Sequence, residues 1–186
     1  MSIEIEKKYR LTRDEHERLL RRLAQVQATP YGKRFEENTL YAGGALDPQT
    51  EVLRLRRVGD RAILTYKRRF ASESPIKHHR EEETAVEDAQ SLAQILYALG
   101  YAPALIYEKR RAIWRIANAE VVLDELPFGL YLEIEGDEHS IHEVEELLEL
   151  TGAEAEMSSY PSLTRLHGQK RGDLIEARFQ MRLPES

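Results

Sequence analysis

Charge recurs on one face of strand after strand in this sequence, and much of it comes in pairs of a single sign. The opening run IEIEKKYR alternates with period two, setting Ile3, Ile5, Lys7 and Tyr9 against Glu4, Glu6, Lys8 and Arg10. In EVLRLRRV, Leu53 and Leu55 alternate with Arg54 and Arg56, and in RAILTYKRR, Lys67 shares a face with Ile63, Thr65 and Arg69. HHREEETAV places Glu81 with Glu83 and turns Arg80, Glu82 and Thr84 the other way. LIYEKRRAIWRI puts Lys109 with Arg111, EVVLDEL puts Asp124 with Val122, and LYLEIEG opposes Glu133 and Glu135 to Leu132 and Ile134. One strand of this kind is ordinarily the half-wetted strand of an antiparallel sheet. Purely acidic pairs (Glu4 with Glu6, Glu133 with Glu135) and purely basic ones (Arg54 with Arg56, Lys109 with Arg111) argue otherwise, because like charges repel unless a counter-ion sits between them. The acidic pairs suit a metal ion and the basic pairs a polyanion. If helices cover the apolar strand faces, the charged faces meet inside a closed sheet, which is a barrel with a polar interior.

The helices that such a barrel needs are present. LTRDEHERLLRRLAQV has Thr12 and Glu15 in capping-box spacing and an apolar stripe of Leu19, Leu20, Leu23 and Val26. DAQSLAQILYALG starts at Asp88 and stops before Gly100, SIHEVEELLELTG has Ser140 and Glu143 in capping-box spacing, and SSYPSLTRLHG reads as a short helix. NTLYA is a short strand, and Gly59-Asp60 is a hairpin turn signal between two longer ones. Antiparallel strands mixed with helices give an α+β class.

The 186 residues suit one domain, read here as 1–168, with a tail over 169–186 whose structure the sequence leaves open. No apolar run approaches the roughly 20 residues of a membrane span, and the acidic opening strand is unlike a signal peptide, so a cytoplasmic protein without membrane partners is expected. Cysteine is absent, which excludes disulfides and thiolate metal sites. A net charge of -6 disfavours broad attraction to nucleic acid, so an anionic ligand needs a local basic site. Neither a P-loop nor a dinucleotide fingerprint occurs. The oligomeric state is open, with a homodimer among the options.

The ordered series Glu4-Ile5-Glu6-Lys7-Lys8, Glu37-Asn38-Thr39-Leu40-Tyr41, LRLR, Lys67, EETAVED, EKRR, VVLDELPFG, YLEIEG and SSYPSL resembles the CYTH superfamily, also called triphosphate tunnel metalloenzymes, as far as about Leu163. The resemblance implies an eight-stranded antiparallel tunnel with helices outside, dependence on Mg²⁺ or Mn²⁺, and a triphosphate-containing small molecule as substrate. It also implies that Glu4, Glu6, Glu133 and Glu135 hold metal, with Glu81 and Glu83 next if that strand is registered with them inward rather than Arg80 and Glu82. Lys8, Arg54, Arg56, Lys67, Lys109 and Arg111 then grip phosphate oxygens, the arginines in bidentate geometry, and Asp124 and Tyr160 sit in the tunnel or at its gate. Glu4, Glu6 and Lys8 are the implied catalytic residues.

The activity so implied is metal-dependent hydrolysis of inorganic, thiamine or nucleoside triphosphate with release of orthophosphate. A class IV adenylyl cyclase, making cyclic AMP from ATP, ranks second because the H-F-x-x-P stretch that group often carries is missing. A non-catalytic polyphosphate or nucleotide-binding module ranks third, since binding alone gains little from mutually repelling carboxylates. Other features read as ordinary. His78 and His79 are expected at the surface, Trp114 packs under a helix, and Glu143, Glu145, Glu146 and Glu149 form the solvated side of one.

Overall fold

The alternating strands close on themselves. The computed structural model describes residues 2–70 and 74–180 and contains, in chain order, β1 (Ser2–Leu11), α1 (Arg13–Gln25), β2 (Thr29–Gly43), β3 (Glu51–Val58), β4 (Arg61–Arg69), β5 (Lys77–Val86) and α2 (Ala89–Ala98). There follow β6 (Tyr101–Ile116), β7 (Ala119–Leu126), β8 (Gly129–Glu135), α3 (Glu138–Leu147), α4 (Tyr160–His167), β9 (Gln169–Arg171) and β10 (Leu174–Ala177). The order β2-β3-β4-β5-β1-β8-β7-β6 is joined end to end by the β2–β6 pairing, so eight antiparallel strands form a barrel without a free edge. Among the described residues no helix is long and apolar enough to cross a membrane.

The apolar strand faces turn outward and the helices cover them. Tyr9 and Leu11 of β1, Val121 and Leu123 of β7, and Leu132 and Ile134 of β8 pack with Leu19 and Leu23 of α1 and with Ile141 and Val144 of α3. Leu55 of β3 and Ala62 of β4 pack with Leu96 of α2. Tyr160 and Leu163 of α4 join Leu105, Tyr107, Leu126 and Tyr131 in a separate cluster. Each fully buried leucine or isoleucine contributes about 1.5–3 kcal/mol, so these faces, rather than the charged ones, supply the barrel's stability.

Local signals decide where elements start. Thr12 accepts from the Glu15 amide while Glu15 reaches back to the Thr12 amide, completing the capping box on α1. Thr12→Ala is therefore expected to cost about 1 kcal/mol, a fall in melting temperature of about 2–4 °C for a chain of this size. An unchanged melting curve would mean that α1 is held by packing alone. Asp88 caps α2 as its spacing indicates. Gly59 takes a left-handed φ of 55° in the β3–β4 turn, as a tight hairpin requires.

Several expectations need correction. The strand read as NTLYA is the end of the far longer β2, which starts at Thr29. Asp137, not Ser140, caps α3. Glu145 is not on a solvated face: it is buried and receives Lys7, Tyr9 and the ring of His142, tying the outer face of β1 to α3. Ile5 packs against the α1 and α3 core, but Ile3, one turn of the pleat earlier, is 64% exposed. In the tail, β9 and β10 form a hairpin that adds to β6 through the parallel pairing Ile175↔Leu105, and residues 181–186 lie outside the described part.

Candidate active site

The charged strand faces line one cavity of about 380 Å³ inside the barrel. Every residue singled out in the sequence except Asp124 contributes to its wall: Glu4, Glu6, Lys8, Arg54, Arg56, Lys67, Glu81, Glu83, Lys109, Arg111, Glu133, Glu135 and Tyr160. Asp124 lies just behind, fully buried, where it accepts from Arg111 at 2.6 and 2.8 Å and from the Tyr160 hydroxyl at 2.9 Å. In β5, Glu81 and Glu83 face the cavity while Arg80 and Glu82 pair with each other outside.

Register explains how so much charge is tolerated. Signs that are segregated along a strand alternate between strands, so counter-charges meet across the ladder. Lys8 lies opposite Glu133, with the ammonium 3.2 Å from the carboxylate. Lys67 lies opposite Glu81 at 2.7 Å and also bonds Glu4. Arg111 lies opposite Asp124 and reaches Glu133 at 2.6 Å and Glu135 at 3.7 Å. Like charges along one strand therefore do not by themselves demand a bound ion. The exception is at Glu135, which stands opposite Glu6 on one side and Glu120 on the other, although Glu6 itself has Lys77 opposite it on β5. Three carboxylates thus crowd neighbouring positions there. Burial, then the Glu4, Glu133 and Glu6 charges, push the Glu135 carboxyl up to about 8 against the opposing pull of Arg111. Oxygen atoms of Glu6, Glu133 and Glu135 lie within 4.8 Å of one another. A cluster of hard carboxylate donors that keeps a proton on Glu135 near neutrality fits a divalent cation of the Mg²⁺ or Mn²⁺ kind.

The opposite wall is cationic. Arg54 and Arg56 of β3 point at Glu83, yet the Nε of each is enclosed without a partner, as is appropriate for a donor awaiting an anion. Lys8 lies 3.8 Å over the ring of Tyr160, and Lys109 lies 5.2 Å from the same ring, so α4 places an aromatic lid against both ammonium groups.

Several residues on or just behind the cavity wall escaped the sequence reading. Glu36 is fully buried, and although burial favours its neutral form, Lys109, Arg111, Arg56 and Arg34 hold it well below the ordinary value. It went unseen because the short strand NTLYA begins after it, although extending the alternation back from Asn38 reaches Glu36. Lys77 and His79 face inward from β5. His79 was expected at the surface, yet it is 4% exposed, since the register that brings Glu81 and Glu83 in brings position 79 in with them. Burial, followed by the Lys67 charge, lowers its imidazole to about 3. His78, its neighbour, points out to Glu138 at 3.3 Å.

These groups fix how stability varies with pH. Glu135 releases its proton at about 8 in the fold against 4.5 ordinarily, and Glu81, raised by burial and its bond to Glu4, at about 7. At these two carboxyls the folded state binds more protons than the unfolded one between 4.5 and about 8, so the stability they contribute falls across that range and is gone above it. His79 acts oppositely only below 6.5, where the unfolded chain takes a proton that the fold refuses down to about 3. Lys77, lowered by burial and Lys8 to about 8 from 10.5, adds stability only as pH rises beyond 8. Between pH 6.5 and 8 the glutamates act alone. The melting temperature of the metal-free protein is expected to fall by roughly several degrees over that window, and Mg²⁺ to reverse the fall. A flat profile in chelator would remove the crowded-carboxylate account of Glu135.

Known proteins share this arrangement of strands. A protein of Methanocaldococcus jannaschii named as a candidate adenylate cyclase is 28% identical over 151 residues, spanning 79% of this chain and 84% of its own. The solved structure of a Pyrococcus horikoshii protein superposes with a TM-score of 0.74 at 23% identity, covering 84% of this chain and 96% of that one. A Hippeastrum protein, described as a candidate adenylyl cyclase with a dominant triphosphatase activity, superposes with a TM-score of 0.67 at 19% identity, covering 89% and 96%. The CYTH domain family model matches residues 2–167, which takes in every strand of the barrel and both charged walls of its cavity. The chain belongs to the CYTH domain family, whose members are metal-dependent tunnel enzymes acting on triphosphate compounds.

Proposed function

We propose that this protein is a divalent-metal-dependent triphosphatase that releases orthophosphate from inorganic, thiamine or nucleoside triphosphate. The observation that carries the reading is the division of one cavity into a cationic wall with unpartnered guanidinium nitrogens and a carboxylate cluster that retains a proton near neutrality. Arg54 and Arg56 receive phosphate oxygens through donors that nothing else satisfies, and Lys8 and Lys109 add charge beneath Tyr160. Lys67 spans Glu4 and Glu81 and keeps that pair oriented. The two carboxyls titrate far apart: burial raises both, but the Lys67 ammonium brings Glu4 down to about 2, while Glu81 sits near 7. Such a split marks Glu81 as the group that takes a proton from the attacking water as its oxygen bonds the terminal phosphorus and the bridging P–O bond breaks to release diphosphate. A Mg²⁺ or Mn²⁺ ion held by Glu4, Glu6, Glu133 and Glu135, with Glu83 next and Glu81 left free of it to act as the base, would supply neutralisation of phosphate charge when bound.

Hydrolysis is placed ahead of cyclisation because the H-F-x-x-P stretch is absent and because the Hippeastrum protein is described as having a dominant triphosphatase activity despite its cyclase name. The cyclase name of the M. jannaschii relative keeps the second reading in the test. Inorganic triphosphate, thiamine triphosphate and ATP are compared with Mg²⁺ or Mn²⁺, with orthophosphate, pyrophosphate and cyclic AMP all measured. Orthophosphate is the expected product. Cyclic AMP with pyrophosphate would replace the hydrolase by a cyclase, and tight binding without any product would leave only a binding module.

A further inference from the structure

Two sets of three side chains among the described residues bring their ligand atoms within 4.8 Å of one another. Glu6, Glu133 and Glu135 form the all-carboxylate set described above, whereas Glu4, Glu6 and His79 form a set that includes an imidazole. His79 is 4% exposed, its side chain lines the cavity, and its Nδ1 is enclosed without a hydrogen-bond partner. An enclosed ring nitrogen left without a partner is a standing cost to the fold unless a donor or a metal ion meets it. The adjacent His78, which also borders the cavity, lies 3.3 Å from Glu138 and belongs to neither set.

We propose that His79, Glu4 and Glu6 form a second, nitrogen-containing metal site that shares Glu6 with the carboxylate set and prefers Mn²⁺, Co²⁺ or Zn²⁺ to Mg²⁺. Imidazole is a softer donor than carboxylate and favours later first-row ions, while Mg²⁺ keeps to oxygen and water. Sharing Glu6 makes that carboxylate a bridge, so the two positions differ in ligand chemistry while lying side by side. Lys67 already neutralises Glu4, but the same ammonium contacts Glu81 at 2.7 Å, so it retains a carboxylate partner when an ion takes its place at Glu4. The inference rests on the cavity admitting divalent ions, not on the identity of the substrate.

The test reads metal binding without turnover. Full-length protein is stripped with chelator, loaded with Mn²⁺, and examined by electron spin-echo spectroscopy for coupling to a directly bound imidazole nitrogen. The coupling is expected in the unaltered protein and in His78→Gln and absent in His79→Gln. By calorimetry, His79→Gln is expected to weaken Co²⁺ or Zn²⁺ binding by about tenfold or more and to leave Mg²⁺ binding nearly unchanged. No nitrogen coupling in the unaltered protein, a result that does not depend on any variant folding, would overturn the site. Coupling that survives His79→Gln would overturn it too, as would unchanged metal binding with weaker inorganic triphosphate binding, which would make His79 an anion donor. Nitrogen coupling in a protein that hydrolyses no triphosphate would leave this site standing and remove the proposed activity instead.

Discussion

Replacing Glu6 by glutamine is expected to lower turnover at least about a hundredfold while the protein stays folded and melts within a few degrees of the parent. Glu6 is the one residue common to both sets of clustered ligands, and it faces Glu135 across the β1–β8 ladder. Glutamine keeps the shape and removes a charge that stands between Glu135 on β8 and Lys77 on β5, so the empty cavity loses a repulsion and an attraction together and its stability changes little. In the proposed reaction, by contrast, electrostatic stabilisation of the transferring phosphate depends on a metal that this charge would help to hold, and such contributions amount to several kcal/mol. Turnover with saturating Mg²⁺ or Mn²⁺ and calorimetric melting of the same preparation check both halves. Full metal-dependent activity in Glu6→Gln would detach Glu6 from the reaction, and a large fall in melting temperature would show that its charge is structural.

The faces of the strands were legible in the sequence because a side chain's face follows from parity alone. Ile5, Leu55 and Ile134 against Glu6, Arg54 and Glu133 needed nothing beyond period two, and those assignments put every expected cavity residue but Asp124 on the wall. What parity cannot supply is which strand lies beside which. The pairing of Lys8 with Glu133, of Lys67 with Glu81 and of Arg111 with Asp124 is a property of register, and it changes the meaning of the sign-segregated pairs from vacancies for ions into mostly satisfied ladders. His79 and Glu36 were missed although parity reaches both: His79 shares the face of Glu81 and Glu83 on β5, and Glu36 that of Asn38 on β2, but a histidine pair reads as a surface feature and the strand signal of β2 reads only from Asn38 onward. Glu145 likewise looks like its exposed companions on α3, and only the proximity of Lys7 and Tyr9 on the outer face of β1 makes it a buried anchor.

Register also separates the arginines that the sequence treated alike. Arg54 and Arg56 retain unpartnered Nε groups, whereas Arg111 spends its guanidinium on Asp124 through two bonds, on Glu133 through a third, and lies 3.7 Å from Glu135. Despite burial, those carboxylates hold the Arg111 charge firmly in place. Arg111→Met keeps much of the stem's volume and removes only the charged fork. It leaves Asp124, fully buried, with Lys109 and the Tyr160 hydroxyl, and leaves Glu133 with Lys8. Breaking a buried ion network from one side typically costs about 3–5 kcal/mol, because the surviving charges remain desolvated. Denaturant unfolding at neutral pH is expected to show a loss of that size, and Asp124→Asn introduced into the same background to recover part of it, as coupled neighbours should. Arg54→Met should instead lower triphosphate affinity with a much smaller loss of stability. If Arg111→Met proved as stable as the parent and differed only in triphosphate affinity, the guanidinium would be a substrate donor that the carboxylates merely park, and the division between the structural and the anion-binding arginines would fall.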